Sequence, residues 1–475
     1  MKSPKNNSSS KRDKEYAFLS PPPLERAIIV SFIIILSFSF LIWAIFNHQK
    51  YGFWCMAAAF CSFLLFTSIC LRFIPKWIHF WSNSEFQSSK KPLKPIAQLC
   101  VKNTTFYIFC FSLICDITVL ILTFIIRYHL GLASNFIDDL SFWRCTDSQH
   151  YLNIATDWYF TTGNIDRVVE LVFLPGYPIV VRLVAYLTGN YLIAGLLVSA
   201  LCFSAANCVF YNLLLLDYSH SQAIQTIKYV YLLPGIFFFV SPLSESLFFL
   251  LSLSCIFCIR KGHWYIGCLI GCYAAFTRSL GIVILVPAFF EFIHYVKNGS
   301  TIFPRIKEIV MHLLTLLLIP LGFVAYCGIN YTVSGDFFKF LEYQRSHWHQ
   351  QLGLFFNTAA YQMKYAIESA TSDPHTFFGL WLPNILAFFL SLIVINLSLS
   401  SLRPSYIAWF IAYFLISMGA TWLLSAPRYM LGLPVIPMAV MAMCKNKCVD
   451  KIISLTLLIV SFAYLYAFIM RWQVW

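Results

Sequence analysis

Ala27-Ile-Ile-Val-Ser-Phe-Ile-Ile-Ile-Leu-Ser-Phe-Ser-Phe-Leu-Ile-Trp-Ala-Ile-Phe46 carries no charge, and its only polar side chains are Ser31, Ser37 and Ser39. A helix rises 1.5 Å per residue, so about 20 such residues cross the hydrocarbon of a bilayer. The stretch therefore reads as a membrane crossing. Similar runs recur at 52–72, 104–126, 191–216, 228–240, 243–259, 263–276, 279–297, 309–330, 377–399, 405–424, 427–444 and 452–470. The expected fold is an all-α polytopic membrane protein of about 13 transmembrane helices. Pro234-Gly235 and Pro242 interrupt the 228–240 region, and such breaks are tolerated only where protein or a polar cavity satisfies the freed backbone groups.

Composition agrees with this reading. Of 475 residues, 59% are hydrophobic and only 11% charged, and the mean hydropathy is +0.72. Soluble domains carry about 25% charge, because their surfaces face water. So few charges cover a chain of this size only if most of the surface meets lipid, which excludes soluble, secreted, fibrous and disordered classes. The sixteen cysteines do not form a disulfide framework. Cys55, Cys61, Cys70, Cys110, Cys115, Cys255 and Cys258 lie inside apolar runs as small hydrophobes.

The net charge of +13 falls in short connections, where it acts as an orientation signal. Lys2, Lys5, Lys11, Arg12, Lys14 and Arg26 precede the first run, and Arg72, Lys76, Lys90, Lys91, Lys94 and Lys102 surround the connection after the second. The expected partner is the lipid bilayer, not nucleic acid. Residues 1–26 read as a cytoplasmic basic leader, 27–103 as an additional two-helix hairpin with its basic connection, and 104–475 as the main membrane domain. With the leader inside, the two long polar segments, 127–175 and 331–376, fall on the outer or lumenal side. The first holds Asp138, Asp139, Asp147, Asp157, Asp166 and Glu170 against Arg127, Arg144 and Arg167. Long polar segments between short connections are where function concentrates.

Candidate chemistry gathers there and at the adjoining helix ends. Asp147-Ser-Gln-His150-Tyr151 places an acid at a helix start with a histidine three residues on, followed by Phe173-Leu-Pro175-Gly176-Tyr177-Pro178 and Arg182. A carboxylate there serves either to take a proton from an attacking hydroxyl or to cap its own helix. Asp138-Asp139 is the competing pair of acids. Ser244-Glu245-Ser246 sets a carboxylate between two apolar runs, as an intramembrane functional acid or as part of a capping box. Thr277-Arg278-Ser279-Leu-Gly281 and Pro427-Arg428-Tyr429 put arginines where the positive-inside rule discourages them. A lipid-linked phosphate suits their guanidinium groups, while snorkelling or pairing with Glu245 would also explain them. Finally, Gly335-Asp336, Phe340, Gln344, His347, Trp348 and His349 suit an interfacial helix. No metal-ligand spacing, P-loop or dinucleotide fingerprint is present, so neither metal nor soluble cofactor is expected.

Taken in order, these motifs resemble those of the GPI second-mannose transferase (PIG-V-type) family of C-type glycosyltransferases. The resemblance rests on Asp147, Tyr151, Ile154 and Ala155; Phe173, Pro175 and Pro178; Ser244, Glu245 and Ser246; Thr277, Arg278 and Gly281; Gly335, Asp336, Phe340, Gln344 and Trp348; and Pro427, Arg428 and Tyr429. One departure is Thr146 directly before the acid, where the family often carries an aromatic. The resemblance spans roughly 104–470 and implies an inverting α-mannosyltransferase. Its donor would be a polyprenyl (dolichyl) phosphate sugar and its acceptor a GPI-precursor-like glycolipid. It implies Asp147, Glu245 and Asp336 in catalysis, and His150, Tyr177, Arg278, His347, Trp348 and Arg428 in substrate or phosphate binding. It also leaves room for a small membrane subunit. The compartment would be the endoplasmic reticulum membrane in a eukaryote and the inner or plasma membrane in a bacterium. The alternatives are a transporter or flippase of lipid-linked sugar, and a C-type transferase using another lipid-linked sugar. Against transport, the ionisable residues concentrate in loops and at helix ends, with no obvious internal repeat.

Overall fold

A computed structural model of the chain describes residues 23–82, 95–159, 169–297 and 305–475. Most of the basic leader, Lys90, Lys91 and Lys94 of the basic connection, and Asp166 and Arg167 lie outside these residues. Among the described residues every regular element is helical, and the sole bridge pairs Leu352 with Ala420. The longer helices are α1 (Pro23–Asn47), α2 (Phe53–Ser82), α3 (Pro95–His129), α4 (Ser148–Asp157), α5 (Gly176–Thr188), α6 (Tyr191–Leu214), α7 (His220–Leu232), α8 (Glu245–Arg260), α9 (Trp264–Thr277) and α10 (Leu285–Lys297). They continue as α11 (Ile306–Leu316), α12 (Leu318–Ser334), α13 (Lys339–Trp348), α14 (Phe355–Ser372), α15 (Leu382–Ser398), α16 (Pro404–Met418), α17 (Ala426–Leu431), α18 (Val435–Met443) and α19 (Lys447–Ile469).

Eight helical stretches are long and apolar enough to cross a bilayer: Glu25–Asn47, Phe53–Ile78, Val101–His129, Tyr191–Leu214, Ser279–Lys297, Ile306–Ser334, Pro374–Ser401 and Lys447–Ile469. The chain is thus a multi-pass membrane protein. Its large apolar side chains point outward along these helices, as at Ile35, Phe38 and Phe46 of α1, which suits contact with lipid. The other apolar runs are shorter or broken. α7 ends before Pro234-Gly235, and the 427–444 run splits into α17 and α18 around Gly432 and Pro434, because proline cannot continue a helical hydrogen-bond ladder.

The first two helices are built into the rest of the molecule. α2 packs along α14 and α15. Trp43 and Tyr51 both donate to Asn357 Oδ1, at 3.0 and 3.3 Å, and Lys76 donates to the Leu399 carbonyl at the end of α15 at 2.7 Å. A cation there satisfies carbonyls that a helix C-terminus leaves unpaired.

α8 carries charges at both ends. Its last residue, Arg260, pairs with Asp217 beneath Tyr406, and Arg403 makes a two-pronged contact to Glu291 at 2.7 and 2.8 Å. Ser405 adds a bond to Glu291 at 2.6 Å. These two acids and two arginines balance in charge, and their geometry supplies the bonds that buried ions require. The loop before α7 and helices α8, α10 and α16 are locked together at that end. The first residue of α8, Glu245, stands at the opposite end.

Candidate active site

At the Glu245 end, four short helix starts converge. Asp147 occupies the N-cap position of α4, yet its carboxylate makes no capping bond. Thr146 before it sits at φ +51°, an unfavourable left-handed conformation for a β-branched residue, and Ser148 Oγ donates to the Trp143 carbonyl at 2.9 Å. This distorted entry aims the Asp147 side chain across the molecule instead of along its own helix. It accepts a hydrogen bond from Arg428 Nη1.

Glu245 follows N-cap Ser244 and likewise makes no cap. One of its oxygens, Oε1, accepts from both Arg278 and Arg428. Its side chain is 2% exposed, and Oε2 has no hydrogen-bond partner. Arg278 lies in extended backbone between α9 and the 3-10 turn Ser279–Ile284. Two glycines permit that course. A Cβ on Gly281 would overlap the Ala274 carbonyl, and one on Gly176 would stand 2.8 Å from Thr277 Cα. Both Thr-Arg-x-x-Gly and the proline-flanked turn thus encode close backbone approach. Tyr151 completes the cluster: its hydroxyl meets Ser244 Oγ at 2.9 Å, and burial pushes that phenol up to about 12.

Arg428 is set by the loop before α17. Asn384 accepts from the Ala426 amide at 2.8 Å, Tyr361 from the Leu423 amide at 2.6 Å, and Thr358 donates to the Ala420 carbonyl at 3.0 Å. The loop is therefore anchored on α14 and α15, the helices that α2 supports.

Asp147, Arg278 and Arg428 line a cavity of about 270 Å³ together with Tyr151, Phe173, Thr277, Gln344, Trp348, Gln350, Trp422, Tyr429 and Trp475. Its polar wall is ordered: Gln344 Nε2 donates to Gln350 Oε1 at 2.9 Å, and Gln350 Nε2 to the Trp422 carbonyl at 2.8 Å. Fixed charges and amides beside aromatic faces form a pocket suited to a small anionic, hydroxyl-bearing ligand.

No family model and no curated protein matches the chain.

The remaining predicted residues divide. His150 stacks on Phe173 with centroids 4.7 Å apart, and its Nδ1 lies 3.5 Å from Glu170, so it stands behind the aromatic wall. Glu245 sits behind the arginines. Tyr177 is fully buried, with its hydroxyl held by the Gly195 carbonyl and Ser199, both at 2.9 Å, and it does not line the cavity. Asp336 is exposed and accepts from the Phe338 amide at 2.8 Å, which makes it a turn former ahead of α13 and away from the cavity lining. His347 is exposed, beside Ser346 Oγ at 2.9 Å. Asp139 is taken by Arg127 at 2.8 Å and Asp138 by Asn135, so neither competitor of Asp147 reaches the cavity. Sequence reading passed over Gln350, Trp422, Trp475 and the loop-setting Asn384. For Asn384 a signal existed: an amide inside an apolar run needs an internal partner.

Proposed function

We propose that the protein is a C-type glycosyltransferase that moves mannose, with inversion, from a polyprenyl-phosphate carrier to a glycolipid acceptor of the GPI-precursor kind. The observation that carries this reading is that Asp147, Arg428 and Arg278 line one cavity and are linked through Glu245 behind them. In this scheme the five shorter or broken apolar runs complete thirteen crossings, and the cavity opens to the outer or lumenal side.

The acceptor hydroxyl oxygen attacks the anomeric carbon as the bond from that carbon to the phosphate oxygen breaks. The bonding pair leaves with the phosphate, and the hydroxyl proton passes to Asp147. The donor phosphate is a diester with one negative charge; the departing polyprenyl phosphate is a monoester and gains a second. Arg278 and Arg428 interact more strongly with the leaving group than with the donor, and such differential stabilisation accelerates a reaction. Phosphate leaves readily, so no strong general acid is required. Gln344 and Gln350 supply hydrogen-bonding amides, and the tryptophans a ring face, for the sugar.

The test is to feed membranes containing the protein radiolabelled polyprenyl-phosphate mannose and identify the labelled lipid. Transfer that disappears with Arg278→Gln or Arg428→Gln supports the reading. Labelled donor recovered on the opposite side without any product would identify a flippase instead.

A further inference from the structure

Arg428 serves two carboxylates that are held very unequally. Glu245 is 2% exposed, receives both arginines and has no path to water without breaking the cluster. The Asp147 side chain is 29% exposed, lines the cavity, and makes no cap to its own helix. A ligand that needs the Arg428 guanidinium will therefore break the contact to Asp147 first. Both pairs share the buried Arg428, but a released Asp147 is already part-exposed and regains solvation, whereas a released Glu245 is left as an uncompensated buried charge.

We propose that Arg428 gates the base: the donor phosphate displaces Asp147 from Arg428, and the freed carboxylate then turns to the acceptor hydroxyl. This deepens, and rests on, the transferase reading above. The exchange preserves charge balance. Two arginines face two acids in the cluster; with the phosphodiester seated, Arg428 retains an anion in place of the part-exposed Asp147. A second phosphate oxygen reaches Arg278, which lines the same wall. Proton removal from the acceptor follows donor binding, and the reaction is ordered. The gate also sets donor affinity, since the phosphate binds only the fraction of molecules in which Arg428 is released.

The test measures equilibrium binding of polyprenyl monophosphate, without sugar, to the full-length protein in phosphatidylcholine nanodiscs. Asp147→Asn removes the competing charge while keeping the side-chain shape, so it should bind the probe about 10-fold tighter. Asp147→Ser, a second variant without the charge, should do the same. Asp138→Asn, which removes a carboxylate of the same segment not joined to Arg428, should bind as wild type does. Affinity of both Asp147 variants within about twofold of wild type overturns the gate, as does an equal gain in Asp138→Asn, which would reveal only a long-range field. If Arg428→Gln and Arg278→Gln leave wild-type binding unchanged, the phosphate site itself is wrong, and the gate falls with it.

Discussion

Arg428 donates to Asp147 across 281 positions of sequence, and this single bond joins the entry of α4 to the entry of α17. Neither residue performs the local duty that its position suggests. Asp147 leaves the N-terminus of α4 uncapped by its side chain, and Arg428, within the six-residue α17, reaches to acids on two other elements instead of to its own helix. The capping preference of Asp147 is set aside at this contact, as happens where a site imposes its own geometry.

Asp147→Asn is the first consequence. Loss of a general base lowers turnover by about 10²–10⁴-fold. Helix capping makes no such demand, because Asn is as good an N-cap as Asp and the side chain is not capping here. Transfer assays at matched expression, with melting curves alongside, should show a collapsed rate and an unchanged midpoint. Turnover within a few-fold of wild type would pass the role to another group.

The long apolar helices were legible because lipid demands continuous apolar runs: 27–46, 104–126 and 452–470 each coincide with a helix long and apolar enough to cross a bilayer. The broken runs were less so, since a hydrophobic stretch such as 427–444 looks alike whether it crosses lipid or folds back inside protein. At the site, Asp147, Arg278 and Arg428 stood out as charges at helix starts. Asp336 stood out equally, yet its carboxylate turns inward on its own loop, and local turn chemistry resembles catalytic placement in a linear sequence. The supporting contacts of Asn384 and Tyr361 were hidden because they link segments far apart in the chain.

Glu245→Gln tests the cluster as a structural unit. It removes the negative charge beneath two buried guanidinium groups, and breaking such a buried pair costs about 3–5 kcal/mol. The double variant Glu245→Gln/Arg278→Gln should recover part of that loss, since one uncompensated charge is removed with the other. Additive destabilisation in detergent melts would mean that the arginines do not depend on Glu245.

Gly281→Ala probes positioning. The new methyl meets the Ala274 carbonyl and forces the 277–281 turn outward, carrying Arg278 with it. Overpacking of this kind costs about 1–3 kcal/mol, and misplacing a reacting group by about 1 Å lowers the rate by about 10²-fold. Gly262→Ala makes a useful contrast, because nothing lies within 4 Å of its Cβ and its strain comes only from φ +87°. It should lose stability without a comparable loss of rate. Equal rate losses in the two variants would remove Arg278 placement as the cause.

Asp116 concerns the interior of α3, away from the cavity. It is 1% exposed; Oδ1 has no hydrogen-bond partner and Oδ2 only a 3.5 Å contact from Ser204. No ion pair to Asp116 occurs among the described residues, and a carboxylate at membrane depth is expensive to accommodate. Asp116→Asn keeps the shape and the Ser204 contact while eliminating any ionised form. It should melt at or above the wild-type temperature, by roughly 0.5–2 kcal/mol in stability, with transfer unchanged. Asp116→Leu should be worse, because it leaves the Ser204 hydroxyl facing a hydrocarbon side chain. A lower midpoint for Asp116→Asn, or lost transfer at an unchanged midpoint, would show that the charge at Asp116 is itself required.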